Sequence, residues 1–187
     1  MDRIIKQMIK FRLLNEEYKL DKKVAKHVAC IFDPNRNTPL SIGMNHIPNN
    51  SKNSCHAEVD AFCRLNMSRR VRSVNIIVLR IDNNASNEQY KLLSSKPCTC
   101  CTVKLNQLSK KGYNLKKVYY STDNDDIVHE KFDTLLQSEP RLSKFDEYRL
   151  ACEHSGVILV SVQILPKSVY HHLNKFRLQT LQTSQTV

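Results

Sequence analysis

The sequence predicts an α/β protein: a three-layer α/β/α sandwich built on a five-stranded mixed sheet. Two observations lead there. Segments of helical periodicity alternate with short β-branched runs, an order that places helices on both faces of one sheet. Residues 74–81 form a nearly continuous β-branched and Leu run, as a central strand covered on both faces requires.

The elements follow in order. Residues 3–19 form an amphipathic helix, with Ile5, Met8, Ile9 and Leu13 near helical spacing. Residues 24–32 favour an extended, buried strand. Asp33-Pro34-Asn35-Arg36-Asn37 is turn chemistry, and 39–44 returns as the second strand of a hairpin. A polar loop leads to a helix over 55–67, where Val59, Phe62 and Cys63 are apolar at offsets of three and four. After the central strand, 82–96 holds an insert rich in Asn and Ser. Residues 97–108 read as a helix, 116–121 as a strand, 127–137 as a helix, 157–165 as a strand and 168–178 as a last helix. The long connection from 121 to 157 is expected to hold a right-handed crossover, which makes the last strand parallel to its neighbour.

The 187 residues suit a single domain over 1–178, with its core in 24–122, further elements in 123–178 and a Gln/Thr-rich tail at 179–187. Hydrophobic residues at 41% and charged residues at 25% are ordinary globular proportions. No apolar run is long enough to span a bilayer, and the charged N-terminus lacks the uncharged core of a signal peptide. A cytoplasmic protein without a membrane partner is expected. Three glycines rule out a glycine-rich phosphate loop. The net charge of +11 favours phosphorylated partners, from a nucleotide to a nucleic acid. Seven cysteines, an odd number with three packed into 98–101, make a poor disulfide framework and a plausible metal site.

Chemistry concentrates in His56-Ala57-Glu58 and Pro97-Cys98-Thr99-Cys100-Cys101. Cys98 and Cys101, three apart on a helix, present both thiolates on one face. Pro97 suits the first helical position, and a helix N-terminus favours the thiolate form. His56 at the start of a second helix supplies a third ligand, leaving a fourth position open for water. A closed structural site, with Cys55 or Cys100 as fourth ligand, is the competing arrangement. It is disfavoured because adjacent helix residues diverge by about 100° and because structural zinc sites characteristically take four protein ligands.

Together the two segments read H-x-E … P-C-x-x-C, the signature of zinc-dependent nucleobase deaminases. With Gly43-Met44-Asn45, Cys55 to Ala61, Lys96 to Cys101 and Val118 to Thr122, the chain resembles the cytidine and deoxycytidylate deaminase superfamily over residues 24–122. That resemblance implies a cytidine-deaminase-like fold, a bound Zn2+ held by His56, Cys98 and Cys101, and Glu58 as the catalytic proton shuttle. It implies Asn45 and the backbone of Ala57 as substrate-binding positions. The expected reaction is hydrolytic deamination of a cytosine-type nucleoside or nucleotide (dCMP, CMP or cytidine): zinc hydroxide attacks the ring carbon and ammonia leaves. A homo-oligomer is in keeping with the family.

The His-Ala-Glu form and the long connection after residue 121 resemble the deoxycytidylate and nucleic-acid groups more than the small free-cytidine enzymes. Departures are the insert near 83–94, the Ser94-Ser95-Lys96 segment before Pro97, and the absence of Trp. Two alternatives remain: an editor of tRNA or single-stranded nucleic acid, and a non-catalytic deaminase-fold binding protein. An editor would use basic runs such as Lys110-Lys111 and Lys116-Lys117, and stacking groups such as Tyr170-His171-His172. Lys52, Arg69, Arg70, Lys96 and His129 are candidate phosphate contacts.

Overall fold

The computed structural model describes residues 1–14, 26–47, 54–81, 91–139 and 141–142. They form α1 (Asp2–Leu14), β1 (His27–Asp33), β2 (Thr38–Met44), α2 (Ala57–Arg64), β3 (Arg72–Ile81) and a short β4 (Leu92–Leu93). Then follow α3 (Thr99–Leu105), a 3-10 helix (Asn106–Lys111), β5 (Tyr113–Ser121), β6 (Ile127–Lys131) and α4 (Phe132–Gln137). The strands make one sheet in the order β2-β1-β3-β5-β6, with β4 pairing β3 beside that path. β3 and β5 run parallel, while β1 is antiparallel to β2 and β3. This is the mixed, open α/β sheet that the sequence predicts.

Strand alternation splits the core in two. Ala29, Ile31, Val74, Ile76 and Val78 face α2, α3 and α4, joined by Ala57, Ala61, Phe62, Leu105 and Leu135. Val28, Cys30, Phe32, Ile77 and Leu79 face the other way and are covered by Ile4 and Met8 of α1. Ile4 and Met8 lie four apart on one helix face and are fully buried. Each such burial contributes about 1.5–3 kcal/mol. Among the described residues, helices therefore cover both faces.

The hairpin β1–β2 turns where expected. The Asp33 carboxylate accepts the Asn35 and Arg36 N–H groups at 2.9 and 3.3 Å, and Asn37 takes a left-handed φ of 49°, which asparagine tolerates.

Residues 127–137 are not one helix. Ile127–Lys131 is an edge strand antiparallel to β5, and only Phe132–Gln137 is helical. Asp125 at φ 64° forms the turn, so the first half extends the sheet by hairpin pairing, and with β4 the sheet has six strands. The expected strand at 157–165, its parallel direction, the helix at 168–178, the tail at 179–187 and most of the insert near 83–94 lie outside the described residues. No helix of the described residues is long and apolar enough to cross a membrane.

Candidate metal centre

Two helix starts converge at one end of the sheet. The β3–β5 register brings Val78 beside Tyr120, and β1 pairs His27 with Arg80. The ends of β2, β3 and β5 and the beginning of β1 thus share an edge. From that edge α2 and α3 both set out across the same face, where their residues share one core.

His56 is the N-cap of α2 and Cys98 the N-cap of α3, both with extended backbone (φ −74°, ψ 151°; φ −76°, ψ 165°). N-cap side chains ordinarily accept an orphan helix N–H; neither of these does. Instead His56 Nδ1 lies 3.2 Å from Cys101 Sγ and 3.5 Å from Cys98 Sγ. One atom from each of the three residues falls within 4.8 Å of the others. Pro97 thus precedes the cap rather than filling the first helical position, and the α-helix ends at Leu105 before tightening into 3-10 geometry.

The donor set fits zinc. Zinc–sulfur and zinc–nitrogen bonds of about 2.3 and 2.05 Å at a tetrahedral angle place N and S about 3.6 Å apart, close to the two separations observed. Two sulfurs and an imidazole nitrogen also match zinc's ligand preference. Among the described residues no fourth His, Cys, Asp or Glu joins the group, and neither His27 nor His46 does. Cys55 stands outside it, its backbone bridged to His46 and its thiol directed at the His56 carbonyl 3.7 Å away. Cys100 is likewise not one of the three clustered donors.

The thiols are strongly polarised. Hydrogen bonds from Cys100 and Cys101 hold Cys98 well below the usual thiol range, while the Cys98 thiolate and burial push Cys101 up. Glu58, in the first turn of α2, is 5% exposed. Burial, then the Cys98 thiolate, push its carboxyl up to about 7, against the pull of His56, a backbone N–H and a hydrogen bond with Cys101. Glu58 therefore stands beside the donor set without belonging to it.

Buried contacts fix both helix starts. On α2, the Asp60 carboxylate accepts the Met44 N–H at 2.9 Å and pairs with Arg64 at 2.9 Å, and Ser41 Oγ donates to the Ala61 carbonyl at 2.8 Å. At Gly43 an added Cβ would lie 2.2 Å from Ala61 N and 2.6 Å from Ala57 O, so only glycine permits this approach. Before α3, Ser95 Oγ donates to the Val78 carbonyl at 2.8 Å and accepts the Ser121 N–H at 2.9 Å. Asp60, Ser41, Ser95 and Ser121 are contributors that sequence reasoning missed. Asp60 lay within a quoted motif, but the partners of the serines are 17 to 26 residues away and leave no local signal.

Asn45 Oδ1 accepts the His27 N–H at 2.7 Å, so this oxygen ties β1 to the end of β2. Ala57 is fully buried, its carbonyl packed on Gly43. Lys96 pairs with Glu130 at 2.6 Å, and His129 packs on Tyr119 with ring centroids 5.1 Å apart. Lys111 is turned inward onto the carbonyls of Phe62 and Leu65. Arg69 and Arg70 are exposed. Lys52 and Tyr170-His171-His172 lie outside the described residues.

No protein-family model matches the chain, and no curated protein matches it. Among solved structures, it is similar to the dCMP deaminase of the cyanophage S-TIM5. The apo form gives 19% identity and a TM-score of 0.41, covering 73% of this chain and 92% of that one. The form in complex with dCMP and dUMP gives 18% identity and the same TM-score and coverage. So loose a superposition transfers neither substrate nor residue roles.

Proposed function

We propose that the chain is a zinc-dependent hydrolytic deaminase of a cytosine-type nucleoside or nucleotide, with dCMP, CMP and cytidine as the substrate class. The observation that carries this reading is the Glu58 carboxyl, buried next to three metal donors and outside their set. A structural zinc site has no use for an unliganded buried carboxylate, whose burial costs free energy unless it is paired. A proton shuttle requires one.

His56, Cys98 and Cys101 would hold the zinc. When bound, zinc supplies a Lewis acid that lowers the pKa of water from 15.7 to about 7. Glu58 then accepts the proton of the attacking water and passes it to the ring nitrogen. Glu58 next takes the second proton from the hydroxyl newly formed on the ring carbon and hands it to the leaving amine as the C–N bond breaks and the carbonyl forms, so water and cytosine become uracil and ammonia. Asn45 and the backbone of Ala57 are assigned to the substrate by resemblance, and Ala57 is seated on the same helix turn as Glu58. The N-termini of α2 and α3 both point their positive ends at the reacting centre.

The charge of +11 suits a phosphorylated substrate. Lys96 and Lys111 are spent on internal contacts, which leaves less of the basic surface for a polymer. The test is ammonia release by the zinc-loaded chain from cytidine, deoxycytidine, CMP, dCMP, guanine, adenosine, single-stranded DNA and tRNA. Release from a cytosine monomer is expected. Release from a polymer alone would replace this reading with an editing activity, and release from none would replace it with a binding role.

A further inference from the structure

Lys111 closes the 3-10 turn that continues α3, yet its side chain serves α2. Its Nζ donates to the carbonyls of Phe62 at 2.8 Å and Leu65 at 2.7 Å, with Cys63 O at 3.5 Å. These are carbonyls at the C-terminal end of α2, where a helix leaves acceptors without intrahelical partners and its dipole favours a cation. The Nζ also lies 4.7 Å from the centre of the Phe62 ring, and Lys104 Nζ sits 4.9 Å from that ring. The backbone reinforces the junction. Ser68 N–H donates to Lys111 O at 2.8 Å and Arg72 N–H to Gly112 O at 3.0 Å. Gly112 holds φ at 83°, where a Cβ would lie 2.5 Å from Ser68 O.

His56 caps α2 and Cys98 caps α3, so the relative placement of the two helices sets the nitrogen–sulfur separations. β2 fixes the near end of α2 through Gly43 and Asp60. Lys111 fixes the far end directly to the continuation of α3. We infer that Lys111 is a positioning residue for the metal centre: its ammonium locks α2 to α3 and so holds His56 in register with Cys98 and Cys101. This rests on reading those three residues as a zinc site.

The experiment measures zinc affinity of the purified full chain by competition with a chromophoric chelator, together with the absorption spectrum of the Co2+ form. Lys111→Met should bind zinc about tenfold more weakly, the low end of losses typical for residues that orient metal ligands, with displaced cobalt bands. Lys111→Arg should stay within about threefold of wild type, since it keeps charge and reach. Lys104→Met, which removes a ring contact but no carbonyl contact, should match wild type. Wild-type affinity and cobalt spectrum in folded Lys111→Met would overturn the inference, because a helix cap alone would lower the melting temperature and leave both readouts unmoved.

Should Lys111→Met fail to fold, the wild-type chain answers by reciprocity. Zinc loading should slow acylation of Lys111 relative to its neighbour Lys110, read by mass spectrometry, and equal slowing would overturn the inference. A wild type that binds no zinc removes the zinc reading and this inference together, an outcome distinct from the others.

Discussion

His56 Nδ1 and Cys101 Sγ lie 3.2 Å apart although 45 residues separate them in the chain. The contact joins the start of α2 to the first turn of α3, so it depends on how both helices sit on one face of the sheet. Substitutions remote from the donors, but under either helix, should therefore act on metal binding.

Gly43 is the sharpest case. In Gly43→Ala the new methyl would meet Ala61 N at 2.2 Å and Ala57 O at 2.6 Å, both backbone atoms that cannot rotate away. α2 must move off β2, at a cost of about 1–3 kcal/mol, typical of overpacking. Thermal melting should show that loss, and zinc titration should show weaker binding, since His56 moves with the helix. An unchanged melting temperature would mean that α2 is not seated as described.

Glu130 gives a pH dependence of defined sign. Partial burial alone would raise its carboxyl, but hydrogen bonds from Lys96 and Tyr120 outweigh it and hold the carboxyl below its ordinary value of 4.5. A depressed carboxylate stabilises the fold above its unfolded pKa, and that contribution fades as pH falls through the folded one. Tyr120 is pushed up to about 12 from 10 by burial and then by Glu130, so its contribution is full below pH 10 and is lost between 10 and 12. Glu130→Gln should be less stable at neutral pH by about 1 kcal/mol or less, as expected for a partly exposed pair. The difference from wild type should shrink below pH 4.5 in denaturant melts.

The thiols should label in a fixed order. Cys63 is exposed and should alkylate readily at pH 8. Cys30, pushed up to about 12 by burial, and Cys55, raised to about 11 mainly by burial, hold roughly one part in ten thousand and one in a thousand as thiolate at that pH, so both should resist. Cys98 should label once zinc is chelated and be protected when zinc is restored, by peptide mass spectrometry. Equal labelling of Cys98 with and without zinc would remove it from the ligand set.

What could be read from the sequence was local and periodic. The run at 74–81, the Asp33–Asn37 turn and the three-residue spacing of Cys98 and Cys101 each carry their own signal. Residues 127–137 misled because Ile127 and Val128 suit strand or helix in so short a stretch. The decisive cue was the acidic turn before them, with Asp125 in left-handed conformation. The caps are hidden for a different reason: Cys and His are not usual N-cap residues, so the sequence starts each helix earlier than Ala57 and Thr99. The inward turn of Lys111 and the Ser95–Ser121 contact are tertiary facts, between residues 46 and 26 positions apart, and one sequence carries no trace of them.

The most direct test compares wild type and Glu58→Ala, both zinc-loaded, for zinc content and for ammonia release from the best cytosine substrate. Glu58 lies outside the donor set, so the variant should keep one zinc per chain. It should lose at least about a thousandfold in turnover, within the range for a positioned proton-transfer group. Normal ammonia release by zinc-replete Glu58→Ala would contradict the account, because a carboxylate that can be deleted without loss is not moving the protons.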